Sequence, residues 1–400
     1  MLHVLQDRTY AKLFAAQVIA LIGTGLLTVA LGLLAYDIAG SDGGAVLGMA
    51  MTIKMLAYVF VSPVAAALTS KLPRRTVLVV ADLLRAATAL ALPFVTEAWH
   101  IYALIFVLQS ASATFTPTFQ AVIPSILPQE EDYTQALSLS RLAYDLEALA
   151  SPALAAALLS VTSYNNLFIG TVVGFLGSAA LVMSARFPQI ETESESPFLE
   201  RVTRGVRIFW RTPDLRGLMG ANLAVSAPIA MVIVNTAVLT MDHLQRSESE
   251  VAILLAVNGA GSMIVALTLP KVLTVRDDRQ VMLAGCLALP ALLVLGAGAI
   301  QLSPGALQWV ALLALWGILG TATSLVLTPS ARLLRRASVE KDRPAVYAAQ
   351  FSLSHACYLV AYPLAGIVGA KIGLASVSLV LGAVALLGVV IAGVEWRRRA

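Results

Sequence analysis

Apolar runs of about twenty residues recur along the chain, and that is the length an α-helix needs to cross the ~30 Å hydrocarbon core of a bilayer. No other pattern constrains the fold as strongly, because lipid offers the backbone no hydrogen-bond partner and so admits only helices or closed barrels. Charges, Pro, Gly and Asn bound six such runs at 13–38, 45–68, 77–95, 101–123, 136–160 and 167–185. Six more follow at 218–240, 251–272, 281–300, 306–327, 345–370 and 374–394. Between the sets lies a polar stretch at 186–216, with Glu191, Glu193 and Glu195, then Arg201, Arg204, Arg207 and Arg211. The pattern predicts an all-α polytopic membrane protein with twelve transmembrane helices in two six-helix bundles. Its expected parts are an N-terminal bundle at 1–185, a cytoplasmic linker at 186–216 and a C-terminal bundle at 217–400.

Only 12% of residues are charged and 58% are hydrophobic, against about a quarter charged in a soluble domain. The first apolar run is too long for a signal-peptide core, so the first helix is expected to be retained. Cys286 and Cys357 sit inside apolar runs and suggest no disulfide framework. Lys and Arg resist translocation and mark the cytoplasmic side. With the N-terminus inside, 23 of the 27 fall on that side, only Arg246 and Lys371 on the other, and Lys54 and Arg85 within spans. Both termini and the linker are thus expected to be cytoplasmic, in a multi-pass plasma-membrane protein of the bacterial inner-membrane type. The net charge of +4 reflects this topological bias rather than a nucleic-acid partner.

The halves repeat weakly. Arg75-Thr76-Val77-Leu78 follows the second run and Arg279-Gln280-Val281-Met282 the eighth. Thr116-Pro117 precedes Ser138-Leu139-Ser140, as Thr328-Pro329 precedes Ser352-Leu353-Ser354. Such repetition fits bundles related by a pseudo-twofold along the membrane normal.

Further segments carry a family likeness: Tyr10-Ala11-Lys12-Leu13-Phe14-Ala15-Ala16-Gln17, Ser62-Pro63 through Arg74-Arg75, Asp82 with Arg85, Phe115-Thr116-Pro117-Thr118-Phe119-Gln120, Ile123-Pro124, and Gly259 with Gly261. On these residues the chain resembles the major facilitator superfamily, and within it the drug and proton antiporter branch that includes macrolide, siderophore and metal-resistance exporters. The resemblance implies the fold of that superfamily, secondary transport by alternating access and a substrate site between the halves. The signature between the second and third spans is degraded: Ala66 replaces its glycine, Ser70 its aspartate and Lys71 its first arginine, while Arg74 and Arg75 match. On the fifth span, Glu147, Ser151-Pro152 and Ala155-Ala156 stand where the antiporter signature has glycines around a Gly-Pro pair.

An ionisable side chain inside a span costs about 2.5 to 3.5 kcal/mol on insertion scales, so it faces a cavity or a partner. The set here is Asp37, Lys54, Asp82, Arg85, Arg141, Asp145 and Glu147, taken as candidates for proton coupling or gating. Asp82 and Arg85 are three apart on one helical face and can neutralise each other; Arg141 and Asp145, four apart, can do the same. Glu147 lies about 200° round the helix from Asp145 and cannot easily share that partner; it is a candidate proton carrier, with Arg85 an alternative structural partner. Lys54 is expected to meet Asp37, to snorkel or to bind an anionic group. Gln17, Gln109, Asn222, Asn235, Asn258 and His355 are cavity candidates, though each also suits interhelical hydrogen bonding.

No catalytic motif, cofactor site or metal-ligand spacing appears, and His355 and Cys357, two apart on a helix, point to different faces. The expected activity is proton-coupled export of a small molecule by a monomer in the lipid bilayer. Divalent-metal export of the nickel type and a non-transporting sensor or scaffold are the alternatives. In the linker, Phe198, Leu199, Val202, Val206 and Phe209 recur at helical spacing between arginines, as in a basic amphipathic helix at a membrane surface.

Overall fold

The computed structural model describes residues 2–61, 65, 69, 72–187, 198–273, 275–338 and 343–397, and among these every regular element is helical. Helices α1 (Arg8–Ala39) and α2 (Gly43–Leu56) belong to one apolar helical stretch of 54 residues running to Val61. At 1.5 Å per residue it would reach about 80 Å, so it holds two crossings rather than one. The reversal falls at Gly40–Asp42. Gly40 has φ +54, a left-handed conformation that glycine adopts without steric cost.

The chain continues through α3 (Arg74–Ala91), α4 (Ala98–Ile126), α5 (Glu130–Leu159) and α6 (Asn165–Ser184). Next come the linker helix α7 (Phe198–Arg211), then α8 (Pro213–Val238), α9 (Glu248–Val272) and α10 (Asp278–Ile300). The last are α11 (Ala306–Ala337), α12 (Arg343–Pro363), which runs on helically to Ile372, and α13 (Leu374–Arg397). Among the described residues ten stretches are long and apolar enough to cross a membrane. The twelve expected runs map onto them because the first stretch holds two, and because the polar α5 keeps only Ala150–Leu159 as an apolar segment.

One boundary differs from the sequence reading. The tenth span was expected to stop at residue 327, with Arg332, Arg335 and Arg336 beyond it on the cytoplasmic side; α11 stays helical to Ala337. Arginine is a good helix former, and two of these side chains hold a carboxylate. Buried Asp278 lies 2.8 Å from Arg336 Nη1 and 3.4 Å from Arg332 Nε.

Two compact units result. The first comprises Met1–Leu34 with Leu56–Glu195, the second Ala35–Met55 with Ser196–Ala400. In the first, α3 packs against α4 and α6 over a core that includes Tyr10, Leu13, Leu78, Phe115, Phe119 and Val122. In the second, α8 packs along α13 so closely that a Cβ on Gly388 would fall 2.5 Å from Ala224 N and Gly220 O. Small residues permit this approach, the usual device where lipid gives helices no hydrophobic drive to associate. The linker helix docks on α12 with Phe209 fully buried and Arg207, Trp210 and Arg211 exposed. Beyond it, the start of α8 is anchored on α13 by Arg216, 2.8 Å from Glu395, and by Trp396 Nε1 donating to Asp214 O at 3.1 Å. Phe198, Leu199 and Val202 lie outside the described side chains.

Candidate functional site

In the first unit α1 lies against α5 and α6 with almost no gap. A Cβ on Gly25 would fall 2.2 Å from Ser151 Cβ and 2.6 Å from Glu147 Oε1. The α5 carboxylate is therefore pressed to the backbone of α1, and only glycine at position 25 leaves it room. Ser151 Oγ donates to Ile22 O at 3.4 Å, and from α6 Thr171 Oγ1 donates to the next carbonyl, Gly23 O, at 2.9 Å. Toward the N-terminal end of α1, Ser140 Oγ donates to Gln17 Oε1 at 3.0 Å and Tyr10 OH to Ala136 O at 3.2 Å. Gln17, Ser140, Glu147 and Ser151 thus form a polar line along the α1–α5 seam. The sequence singled out Glu147 and Gln17; Gly25 was missed, because a glycine's steric role shows only once the neighbouring helix is placed.

Asp82 and Arg85 are brought together, fully buried between α3, α4 and α6. Arg85 donates to Asp82 Oδ1, and Ser178 Oγ donates to Asp82 Oδ2 at 2.7 Å. The guanidinium sits over two ring faces, 4.3 Å from Phe115 and 4.5 Å from Phe175, and its Nε is buried without a hydrogen-bond partner.

The other candidates separate. Asp37 is two residues from the end of α1 and Lys54 eleven beyond the start of α2, so roughly 13 Å divides them along the hairpin axis. They stand on the two arms of one hairpin, and His355 lies on α12. Asn222 Nδ2 donates to Gln350 Oε1 at 3.2 Å, Asn235 Nδ2 to Ala365 O at 3.0 Å and Asn258 Nδ2 to Trp316 O at 2.9 Å. Gln109 is buried in α4. Arg74 is half-buried and Arg75 exposed at the start of α3. Ser70 and Lys71 lie outside the described residues, as do the side chains of Arg141 and Asp145. Among the described residues no three His, Cys, Asp or Glu side chains converge as metal ligands would.

A sequence profile described as "Major Facilitator Superfamily" matches residues 13–238 and again 218–399. Macrolide efflux protein A of Streptococcus pyogenes is 26% identical over 218 residues, 52% of this chain and 53% of that protein. The chain therefore spans about half the length of this curated relative. An uncharacterized MFS-type transporter, YvqJ of Bacillus subtilis (strain 168), is 24% identical over 334 residues, 80% of this chain and 76% of that one. Among solved structures, a POT family transporter bound to a thioalcohol-conjugated peptide superposes with a TM-score of 0.75 at 11% identity, covering 98% of this chain and 96% of that one. The nucleoside transporter NupG gives 0.70 at 14% identity, covering 97% and 99%. These structures match in fold.

Proposed function

Because the chain belongs to the Major Facilitator Superfamily, a family of membrane transporters, we propose that it exports a small molecule by alternating access, with proton binding at Glu147 as the coupling step. The observation that carries this reading is the contact of the Glu147 carboxylate with α1 at Gly25. Glu147 is half-buried at this seam, and an ionised carboxylate there is held by water or donors that a protonated one does not need. In this reading protonation favours the closed α1–α5 seam, and deprotonation favours a rearranged one. A two-state element biased by a proton is what a gradient needs in order to do work on a substrate.

Export rather than import is supported by the name of the macrolide efflux relative, and cytoplasmic termini by the distribution of Lys and Arg. In this reading the single chain is the working unit, in the bacterial inner membrane. The test is proteoliposome transport of a radiolabelled macrolide under an imposed pH gradient. Glu147→Gln should abolish gradient-driven accumulation while keeping substrate counterflow; accumulation at the wild-type rate refutes the coupling role. If wild-type protein moves no macrolide, a deletion strain screened across drugs and metal salts re-assigns the substrate.

A further inference from the structure

The last turns of α11 carry three arginines. Arg332 stands three residues from Arg335 and four from Arg336, the spacings of one helical face. Together with Ser338 they line a cavity of about 530 Å³.

Part of this cluster holds the fold. Asp278, itself buried, takes Arg336 Nη1 at 2.8 Å and Arg332 Nε at 3.4 Å, and Ser338 Oγ donates to Leu334 O at 2.7 Å. The remainder is unspent. Arg335 is exposed and among the described residues takes part in no ion pair. Arg332 and Arg336 keep 42% and 60% of their side-chain surface open, and each guanidinium has five N–H donors, more than one carboxylate can use. Cations are also in excess: Asp278 and the half-charge of a helix C-terminus offset about half of three positive charges. Like charges three and four residues apart on a helix repel, so an anion in the cavity relieves a cost already present.

Position along the helix indicates which anion. Counted from Ala306, where α11 begins, the three arginines stand about 39 to 45 Å along the axis. A bilayer with its headgroup layers is about 40–45 Å thick, so they reach the far layer of lipid phosphates, on the side that the Lys and Arg distribution assigns to the cytoplasm. A planar guanidinium fork matches phosphate oxygens in pairs.

We propose that this cavity binds a phosphate-bearing anion, its oxygens held by Arg335 and by the N–H groups of Arg332 and Arg336 that Asp278 leaves open. The phosphate comes from the headgroup of an anionic phospholipid or from solution. Binding here needs neither a transported substrate nor a gradient, so the site stands apart from coupling at Glu147.

The test uses the full chain in detergent micelles, by thermal melting and native mass spectrometry. Retention of phosphatidylglycerol should exceed that of phosphatidylcholine at least about tenfold, and Arg335→Gln should remove about that factor, the scale of one charge-assisted contact. Arg335→Lys should keep part of it, since the charge stays and the fork is lost. In micelles without phospholipid or phosphate, Arg335→Gln should melt no lower than wild type, because it breaks no ion pair and removes a like charge; a lower Tm there assigns Arg335 to the fold and overturns the proposal. Arg211→Gln, on the exposed side of α7, controls for general attraction of basic surface to anionic lipid and should leave retention unchanged. Inorganic phosphate at constant ionic strength distinguishes the sources: a Tm rise that Arg335→Gln removes shows a soluble ligand, and a rise with phosphatidylglycerol alone shows the headgroup. No lipid preference together with no response to phosphate, a response that survives Arg335→Gln, or one lost equally in Arg211→Gln overturns the proposal.

Discussion

Asp82 and Arg85 form a charge pair whose two halves should be unequal in worth. In Arg85→Met the carboxylate keeps only the Ser178 hydroxyl in a fully buried position, and breaking a buried pair from one side costs about 3–5 kcal/mol. In Asp82→Asn the stranded cation keeps two aromatic faces, at 4.3 and 4.5 Å, each worth about 0.5–2 kcal/mol. Asp82→Asn should therefore cost about 1–3 kcal/mol less than Arg85→Met. Removing both charges together leaves no stranded ion, and such replacements are often near neutral. The assay is thermal melting followed by circular dichroism in detergent. At roughly 2–4 °C per kcal/mol for a unit of this size, Arg85→Met should lower Tm by on the order of 10 °C, Asp82→Asn by clearly less, and the double variant least of all. A double variant whose loss equals the sum of the singles would refute the pairing account, and a larger loss for Asp82→Asn would refute the role given to the rings.

Gly25→Ala should destabilise by about 1–3 kcal/mol through overpacking and slow transport; Ser151→Gly on that background should recover part of the stability, because it removes the nearest obstacle, Ser151 Cβ at 2.2 Å, and leaves Glu147 Oε1 at 2.6 Å. Gly388→Val should lower Tm more than Gly25→Ala does, since its obstacles are the backbone atoms of Ala224 and Gly220, which cannot rotate away; an unchanged Tm contradicts the packing of α8 on α13. Asp278→Asn should cost about 1–3 kcal/mol in the same melt, with Arg336→Met on that background costing nothing further, because the two act through one contact.

Much of the fold was legible because span length and charge placement are local properties. The 3-residue spacing of Asp82 and Arg85 announced their pair, yet Ser178, Phe115 and Phe175 complete it from other helices and no local pattern points to them. Asn222, Asn235 and Asn258 stood out as polar residues in apolar runs, but their acceptors at Gln350, Ala365 and Trp316 are supplied by distant segments. The extension of α11 to Ala337 was missed because charge was read as the end of a helix, whereas it marks only the end of the apolar part.

Residues 35–55 are counted by their packing with the second unit although they lie early in the chain. The polypeptide therefore passes between the units three times, near residues 34, 55 and 195, and the polar linker is one of three covalent ties. If the backbone is cut within 188–197 and the fragments are co-expressed, the first fragment still carries a helical hairpin tip that completes the body of the second. Fragment complementation should then succeed by an exchanged element, as in a swapped oligomer, and removal of residues 35–55 should prevent reassembly more severely than removal of the linker.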